Sequence, residues 1–333
     1  MAREVNKPRI ICVGSNIESE VVLRGLIKHK VNIVSLVTLP SKESDGVCDY
    51  GDLHPLCESN NIRTIDTKDI NSVETCMQIK EESPDYIFVL GWSQIFKAAL
   101  LNIPRKFVVG SHPSPLPEGR GRAPVPWTIL QEKKKSAVTL FRMDVGVDSG
   151  DILLQKWFDI PKNASVLTLY NLVAENLCNA FCEIHDRILS NNVEIIVQDI
   201  SKATYRAKRT LSDGYIDFKK SAYDIEKLIR AVSEPYPGAY SYYRRQKVNI
   251  FRASLDNIPP YIGVVGQILL RKKNSILVQT GDTPIWLSKF TVKGEEISFK
   301  FFKVGEKLGY DIEDELYTLN QEINKLKENL NRD

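Results

Sequence analysis

Short apolar segments rich in β-branched residues alternate with amphipathic segments through the first half of the chain. The apolar runs are RIICVG (9–14), VNIVSLVTL (31–39), a shorter run at 62–67, YIFVLG (86–91) and KFVVGS (106–111). Such runs are typical of strands that are buried on both faces of a parallel sheet. Helical patterns at 15–30 and 69–83 lie between them. The alternation predicts an α/β domain with a mostly parallel, Rossmann-like sheet and right-handed crossovers.

The pattern changes in the second half of the chain. A helix is predicted at 123–131, strands at 136–143 and 152–158, and a long helix at 165–189. The polar segment 201–214 and a helix at 223–233 follow, and then short β runs continue to Tyr310 with turns at NIPP, KKN, TGDT and KGEE. This composition predicts a small β-barrel of the OB-like type. The expected domains are therefore 1–200 (catalytic), 201–310 (OB-like) and 311–333 (terminal helix).

The last residues carry a heptad-like apolar pattern. Apolar residues recur at spacings of four and three, at Ile312, Leu316, Leu319, Ile323, Leu326 and Leu330. This seam can pair with a partner chain, which makes a homodimer possible, or it can lie on the chain's own surface. Because so short a seam is marginal alone, packing on the chain's own body is favoured.

The composition argues against several classes of protein. No run of about 18 apolar residues occurs, so no transmembrane helix and no membrane partner are expected. The first residues, MAREVNK, lack the apolar stretch of a signal peptide. The six cysteines are scattered, which favours reduced thiols in a cytoplasmic protein. Cys178 and Cys182 lie four residues apart on a predicted helix, but no nearby histidine completes a set of ligands, so no metal is expected.

The charge of the chain is uneven. The formal net charge is +3, but residues 202–310 carry 20 Lys and Arg against 10 Asp and Glu, a net charge of +10. Such a basic segment is expected to attract an anion, such as the phosphates of a nucleotide or of an RNA. A solvated basic face without a partner is the alternative. No G-x-G-x-x-G motif follows the first strand, so NAD is not expected.

A stretch rich in proline and glycine surrounds one histidine. It reads GSHPSPLPEGRGRAPVPW (110–127), and His112 comes directly after a predicted strand. Proline fixes its own φ and pushes the preceding residue into extended conformations, whereas Gly119 and Gly121 permit a sharp return. In parallel sheets, ligands bind beyond the carboxyl ends of the strands. The stretch therefore indicates a rigid loop that orients His112 for chemistry, although a histidine that only ends a strand is the alternative.

An aspartate of a later loop can reach this histidine. Asp148, in GVDSGDIL, follows His112 by 36 residues, after a predicted helix and strand that return to the same sheet edge. A carboxylate beside an imidazole fixes its tautomer and favours its protonated form. Asp148 can equally cap the turn before Ser149, and Asp144 and Asp151 are alternative carboxylates nearby.

Together these motifs resemble the folate-dependent formyltransferases, which act on methionyl-tRNA, glycinamide ribonucleotide or amino sugars. Those families carry Asn-x-His, a loop that contains Leu-Pro, and Asp-x-Gly at the same distance. His112, the pair Leu116–Pro117 and Asp148 match these motifs by position. Residues 212–242 look like the start of the C-terminal domain that the tRNA and aminoarabinose enzymes share. The resemblance covers about residues 8–310.

The resemblance implies roles for particular residues. His112 and Asp148 would take a proton from the acceptor amine, and protonated His112 would stabilise the developing oxyanion. N10-formyltetrahydrofolate would be the formyl donor. The residues implied for its pterin cleft are Trp92, Ile95, Met143, Asp144, Val145 and Gly146. Trp92 can equally be a core residue. The peptide bond Leu116–Pro117 is expected to be cis, as in related enzymes.

One departure from the family pattern concerns the oxyanion. The family asparagine should lie two residues before His112, where this chain has Gly110. Loss of such a donor can lower the rate by a factor on the order of 10²–10³. Ser111 should point to the opposite face of the strand. A backbone N–H, a water or another side chain must then substitute, or the activity is weak.

The acceptor is the least determined part of the prediction. The tRNA enzyme carries a basic insertion after the second strand, but here that position reads TLPSKESDGVCDYGDLHPL, with one lysine and several acids. The run GRGRAPVPW resembles the sugar enzymes instead, and the residues expected to bind substrate are Ser114, Arg120, Gly121 and Arg122. A nucleotide-linked amino sugar is therefore the expected acceptor. Methionyl-tRNA is the alternative, since in the tRNA enzyme the C-terminal domain contacts RNA. A weakly active folate-binding or substrate-binding homologue is the second alternative, because of Gly110.

Overall fold

A computed structural model describes residues 7–43, 49–310 and 312–330 of the chain. It divides into a first unit that ends at Arg209 and a second unit that begins at Thr210. The predicted boundary between residues 200 and 201 lies somewhat earlier. The described part of the predicted third segment is the helix 312–330, which belongs to the second unit in this division.

The first unit is built on a mostly parallel sheet, as predicted. Its strands are β1 (Ile10–Gly14), β2 (Ile33–Thr38), β3 (Arg63–Asp66), β4 (Tyr86–Gly91), β5 (Phe107–His112), β6 (Arg120–Gly121), β7 (Lys135–Arg142), β8 (Ile152–Asp159) and β9 (Tyr205–Arg206). The main sheet has the order β3-β2-β1-β4-β5-β7-β8, and β6 pairs with β9 separately. Strands β1 to β5 run parallel, whereas β7 and β8 are antiparallel to their neighbours.

Helices connect and cover these strands. They are α1 (Ile17–Lys28), α2 (His54–Glu58), α3 (Val73–Glu81), α4 (Ala98–Leu101), α5 (Pro124–Leu130) and α6 (Val166–Leu189). Asn16, Ser72 and Ser165 accept hydrogen bonds from the first free backbone N–H groups of α1, α3 and α6. These caps fix where the helices begin. Helix α3 therefore starts later than the predicted residue 69.

The β-branched runs form the core, because they are buried on both faces of the sheet. Val13, Ile87, Val89 and Val108 pack together in one apolar cluster with neighbouring helices. The burial holds the strand ends rigidly, so that residues just beyond them occupy fixed positions. The sequence prediction of buried strands at these places is confirmed.

The second unit contains an antiparallel sheet, and one helix precedes its strands in the sequence and another follows them. Its elements are α7 (Ala222–Val232), β10 (Ala239–Tyr243), β11 (Gln246–Ser254), β12 (Ile268–Lys272), β13 (Ser275–Val278), β14 (Ile285–Val292), β15 (Glu295–Ile297) and α8 (Ile312–Leu330). The strand order is β10-β11-β14-β13-β12, and β15 pairs with β14. The strands at the two ends of this order are β10 and β12. Backbone groups of residues 305–309 form hydrogen bonds with Ile268 of β12 and with Tyr242 of β10, and so link the two edges of the sheet. This arrangement agrees with the predicted small barrel.

Helix α8 leaves its apolar seam exposed. The six seam residues, from Ile312 to Leu330, are between 40% and 77% exposed. The expectation that this seam packs on the chain's own body is therefore wrong for the described residues. Arg245 instead holds the helix through its polar side, with an ion pair of 2.9 Å to Glu322.

Two further expectations concern the state of the cysteines and the presence of a transmembrane helix. The cysteines at 12, 57, 76, 178 and 182 are free thiols, whereas Cys48 lies outside the described residues. Within residues 7–43, 49–310 and 312–330, no helix combines the length and the apolar character that crossing a membrane requires. Short 3₁₀ turns are present at Ser41–Glu43, Ile200–Lys202, Leu211–Gly214 and Phe299–Phe301.

Candidate active site

His112 is the last residue of β5, at the carboxyl edge of the main sheet, and only 5% of it is exposed. Its Nε2 lies 2.8 Å from the carbonyl oxygen of Gly119. Because a carbonyl can only accept, Nε2 carries a hydrogen and donates it. The other ring nitrogen, Nδ1, lies 3.6 Å from Oδ2 of Asp148. The structure therefore brings the predicted imidazole and carboxylate together, with the tautomer set by Gly119.

Asp148 is held by backbone and side-chain groups on both sides. Its Oδ2 accepts a hydrogen bond of 2.8 Å from the N–H of Gly121. Its carbonyl accepts one of 2.9 Å from Nε2 of Gln198. The residue has a φ of 49°, in the left-handed region that aspartate and asparagine enter more readily than most residues. These constraints aim the carboxylate at His112.

The proline-rich loop is fixed by buried hydrogen bonds as well as by its prolines. The hydroxyl of Ser114 donates to the carbonyl of Glu118 at 2.8 Å, and Thr139 donates to the carbonyl of Ser114 at 2.7 Å. Nε2 of Gln155 donates to the carbonyl of Leu116 at 3.1 Å. The peptide bond Leu116–Pro117 is cis, as predicted.

A strand that follows the long helix ties the same loop from another direction. The N–H of Gly119 donates to Oγ1 of Thr204 at 2.8 Å, and the N–H of Arg120 donates to the carbonyl of Thr204 at 2.9 Å. Gly121 has a φ of 100°, and a Cβ there would lie 2.6 Å from the carbonyl oxygen of Arg206. Only glycine fits this close approach. The segment that the sequence suggested as a polar boundary is thus part of the site.

A buried network links the loop to Asp148. The guanidinium of Arg120, a residue that is 3% exposed, donates to Oε1 of Gln198 at 2.7 Å and to the hydroxyl of Tyr205 at 3.1 Å. Nε2 of Gln198 donates to the carbonyls of Asp148 and Gly150. Gln198 is absent from the predicted site residues, because its only signal in the sequence is a polar residue after the apolar run IIV (195–197).

The predicted substrate-binding residues therefore differ in what they can offer. The polar groups of Ser114 and Arg120 are buried and engaged within the protein, so that direct contact with a substrate would require them to leave these partners. The N–H of Gly121 serves Asp148. Arg122 is exposed, and one of its guanidinium nitrogens donates to the carbonyl of Ser93 at 3.1 Å.

The residues predicted for the folate cleft follow the ends of β4 and β7. Trp92 comes directly after β4, and its Nε1 is buried without a hydrogen-bond partner. Trp92 and Met143 both pack against the apolar core. Ile95 is 60% exposed and Val145 is 70% exposed. A buried N–H without an acceptor is costly, and Nε1 of Trp92 is such a group.

The loop at 144–149 has an internal support. Oδ1 of Asp144 accepts hydrogen bonds from the N–H of Gly146 at 3.0 Å and from the hydroxyl of Ser149 at 2.8 Å. The carboxylate therefore shapes the loop, and the N–H of Gly146 is already used. Of the backbone groups predicted to contact the pterin, this one would have to exchange its partner.

Gly110 is explained by its neighbours. A Cβ at this position would lie 2.6 Å from Cγ of Met143 and 2.9 Å from Cζ of Phe141. The space in which a family asparagine would begin is thus filled by two apolar side chains. Ser111 points away, as expected, and its hydroxyl donates to the carbonyl of Val89 at 2.8 Å.

A Gly110→Asn variant is expected to lose stability and to gain no activity. The added side chain must displace Met143 and Phe141, and such overpacking costs about 1–3 kcal/mol. Urea denaturation and initial rates of formyl transfer measure both effects. Gly294→Asn is the matched control for the added side chain, because a Cβ at Gly294 would have no atom within 4 Å and the cost is limited to the backbone strain of a positive φ, which asparagine tolerates better than most residues. A Gly110→Asn protein that is both faster and equally stable contradicts this account.

Family comparisons match both units of the chain. A family model described as formyl transferase matches residues 10–184, and one described as formyl transferase, C-terminal domain, matches residues 208–302. A methionyl-tRNA formyltransferase of Syntrophomonas wolfei is 31% identical over 277 residues, which are 82% of this chain and 88% of that protein.

Solved structures share the fold. WlaRD, a sugar 3N-formyl transferase whose crystals contained dTDP and 5-N-formyl-THF, matches with a TM-score of 0.61 and 21% identity, over 87% of this chain and 99% of that chain. A methionyl-tRNA formyltransferase from Clostridium thermocellum matches with a TM-score of 0.54 and 18% identity, over 87% and 98%. The first family model spans more than half of the sequence and includes His112 and Asp148. The chain therefore belongs to the formyl transferase family.

Proposed function

We propose that the chain transfers a formyl group from N10-formyltetrahydrofolate to the primary amine of a nucleotide-linked amino sugar. The observation that carries the transfer is the pairing of buried His112 with half-buried Asp148, with 3.6 Å between Nδ1 and Oδ2. A histidine held at the carboxyl end of a strand, with one nitrogen fixed by a carbonyl, meets the geometric requirement for acid–base chemistry.

The pair supplies two chemical functions in this proposal. An amine attacks only in its neutral form, so that a base must take a proton from it, and Asp148 with His112 can do so directly or through a water. The resulting imidazolium lies beside the carboxylate and stabilises negative charge on the oxygen of the transferred formyl group. The new bond joins the formyl carbon to the acceptor nitrogen, the bond from that carbon to N10 of the donor breaks, and N10 receives a proton.

The pterin ring of the donor is proposed to bind against Trp92, Ile95 and Val145, which form one wall of the proposed donor site. The unpartnered Nε1 of Trp92 and the two exposed aliphatic side chains suit a flat heteroaromatic ring that carries acceptor nitrogens. Met143, Asp144 and Gly146 complete the proposed wall. The support offered by Asp144 within the loop keeps this wall in place before the donor arrives.

The choice of acceptor rests on the loop after β2. Its described part contains Glu43, Asp49 and Asp52, whereas RNA binding requires a surplus of cations. Burial raises the pKa of Glu18 to about 8, with a contribution from the neighbouring Asp49, so that Glu18 is mostly neutral near pH 7 and the negative charge at this edge comes from the carboxylates of the loop. An acidic cluster at this edge disfavours a polyanion. A small acceptor avoids it.

Arg122 is the residue proposed to meet the phosphates of the nucleotide. Its guanidinium has five donors and is exposed, with one nitrogen on the carbonyl of Ser93. A guanidinium forms paired hydrogen bonds with phosphate oxygens. Arg120 is proposed to support the site through Gln198, which its guanidinium contacts at 2.7 Å.

Methionyl-tRNA is the second candidate acceptor. The Syntrophomonas wolfei relative is named for it, and residues 202–310 of this chain carry a net charge of +10. The acidic loop after β2 weighs against it. A weakly active binding homologue is the third candidate, because Gly110 replaces the family asparagine.

An acceptor panel separates these candidates. The protein is incubated with N10-formyltetrahydrofolate and with nucleotide-linked 3-amino or 4-amino sugars or methionyl-tRNA, and release of tetrahydrofolate is followed. Release only with a sugar supports the proposal. Release only with the tRNA contradicts it, and binding of the donor without turnover on any acceptor favours the weakly active homologue.

An Arg122→Gln variant tests the nucleotide contact within the same assay. Its KM for the active nucleotide sugar is expected to rise by a factor of about 10 to 150, since loss of a charged hydrogen bond costs about 1.5–3 kcal/mol, with little change in kcat. Arg24→Gln is the matched control, because Arg24 is an exposed arginine of α1 that pairs with Glu20 on the same helix. An unchanged KM excludes Arg122 from the contact.

A further inference from the structure

A cluster of metal-ligating side chains lies where the ends of α1 and α6 meet. His29 follows the last residue of α1, and His185 and Asp186 lie on the last turns of α6. Nε2 of His29 is 2.7 Å from Oδ1 of Asp186, and Nδ1 of His185 is 3.7 Å from the same oxygen. The ligand atoms of the three residues all lie within 4.8 Å of one another.

His185 is the observation that calls for a ligand. It is 3% exposed, and both of its ring nitrogens are buried without a hydrogen-bond partner. The distance of 3.7 Å to Asp186 is too long for a hydrogen bond. An unsatisfied buried polar group costs about 1–3 kcal/mol, and native proteins rarely leave one. The ion pair between His29 and Asp186 explains those two residues, but it leaves His185 unexplained.

The donor set suits a borderline-soft divalent cation. Two imidazole nitrogens and one carboxylate oxygen are common ligands of zinc. Ligand atoms around tetrahedral zinc lie about 3.3 Å apart. The ligand atoms of the three residues now lie within 4.8 Å of one another, and small rotations of the exposed side chains of His29 and Asp186 would bring them to the zinc spacing. An imidazole binds a metal through an unprotonated nitrogen, and neither ring nitrogen of His185 has a hydrogen-bond partner within the described residues.

Two thiols lie beside the cluster. Cys182 and Cys178 are one and two turns before Asp186 on the same face of α6. The Sγ of Cys178 packs against Gly25 of α1, where a Cβ would lie too close to it. The expectation that no histidine lies near these cysteines is wrong, because His185 follows Cys182 by three residues on the same helix. The fold adds His29 from the end of α1.

We propose that His29, His185 and Asp186 bind one divalent zinc-like ion, with a water as the fourth ligand, and that this ion fastens α1 to α6. The helices α1 and α6 both begin at the carboxyl edge of the sheet and end at the opposite edge. The proposed site is therefore separated from His112 by the length of the strands. Its role is structural, and it takes no part in formyl transfer.

Zinc binding to the intact, untagged chain tests the proposal. The protein is treated with a chelator, dialysed, and titrated with Zn²⁺ by isothermal calorimetry and with Co²⁺ by visible absorption. One Zn²⁺ per chain and an intense Co²⁺ band typical of tetrahedral coordination are expected. His29→Ala and Asp186→Asn, both at exposed positions, are expected to weaken binding at least about 10-fold without unfolding the chain.

His54→Ala is the matched control. His54 also faces two carboxylates, Asp52 and Asp66, but both of its nitrogens are already hydrogen-bonded at 2.7 Å. Its replacement is expected to leave Zn²⁺ affinity unchanged. Wild-type affinity in a His29→Ala/Asp186→Asn double variant overturns the proposal, as does the absence of binding to the wild-type chain. A rise in melting temperature with Zn²⁺ in the wild type alone supports it.

Discussion

A His112→Asn variant is expected to lose about 10²–10⁴-fold in kcat, because a positioned acid–base group contributes roughly that factor. The amide of asparagine occupies the position of Nδ1 and is too short to replace Nε2, so that the contact with the carbonyl of Gly119 is lost together with the imidazole. Asparagine has no nitrogen that can take up and release a proton near neutral pH. The rate of tetrahydrofolate release, with saturating donor and acceptor, measures the loss.

The control for this variant is His54→Asn. His54 is a surface-side histidine bound by Asp52 and Asp66, and its replacement is expected to leave kcat unchanged. Thermal melting of both proteins verifies that each is folded. A folded His112→Asn protein with the wild-type rate rules out the proposed role of the imidazole.

An Asp148→Asn variant is expected to lower kcat about 10²-fold or more while the fold is retained. Asparagine accepts the left-handed φ of 49° that Asp148 adopts. Its amide oxygen can also accept the N–H of Gly121, as Oδ2 of Asp148 does now. Only the negative charge beside His112 is lost, so the rate reports on that charge. Initial rates and a urea titration give the two quantities.

Asp151→Asn is the matched variant for Asp148. Asp151 is the nearby carboxylate that the sequence could not distinguish from it, but among the ion pairs of the described residues only Asp148 comes within 4 Å of His112. Asp151→Asn is expected to keep the wild-type rate. Equal losses in both variants would indicate that the loop, and not one carboxylate, matters.

The elements of the first unit could be predicted because each has a local cause. The apolar runs that form β1, β2, β4 and β5 are too β-branched and too continuous for surface helices. The carboxyl end of β5 places His112 at the sheet edge on sequence grounds alone. The predicted start of α3 is wrong, because the apolar pattern does not reveal that the cap lies at Ser72.

The supports of the site could not be predicted, since they depend on distant backbone groups. Gln198 is hydrogen-bonded to Arg120 and to Asp148, which are 78 and 50 residues away in the sequence. No periodic pattern in the sequence identifies such a residue. Thr204 binds the loop directly before β9, whose pairing with β6 is only two residues long and leaves no pattern in the sequence. The sequence identifies Gly119 and Gly121 as turn residues. It does not reveal that both lie against Arg206, which leaves no room for a side chain. The same applies to the cluster at His29, which exists only because α1 and α6 are adjacent.

The pairing of β6 with β9 has a practical consequence for dissecting this chain. A shortened catalytic piece that stops at residue 200 retains every strand of the main sheet, and it would look complete by circular dichroism. It lacks Thr204, which accepts the hydrogen bond from the N–H of Gly119. The carbonyl of the same Gly119 orients the imidazole of His112, so this orientation would lose a support. Fragments meant to report on chemistry should therefore be cut after Arg209, where the first unit ends.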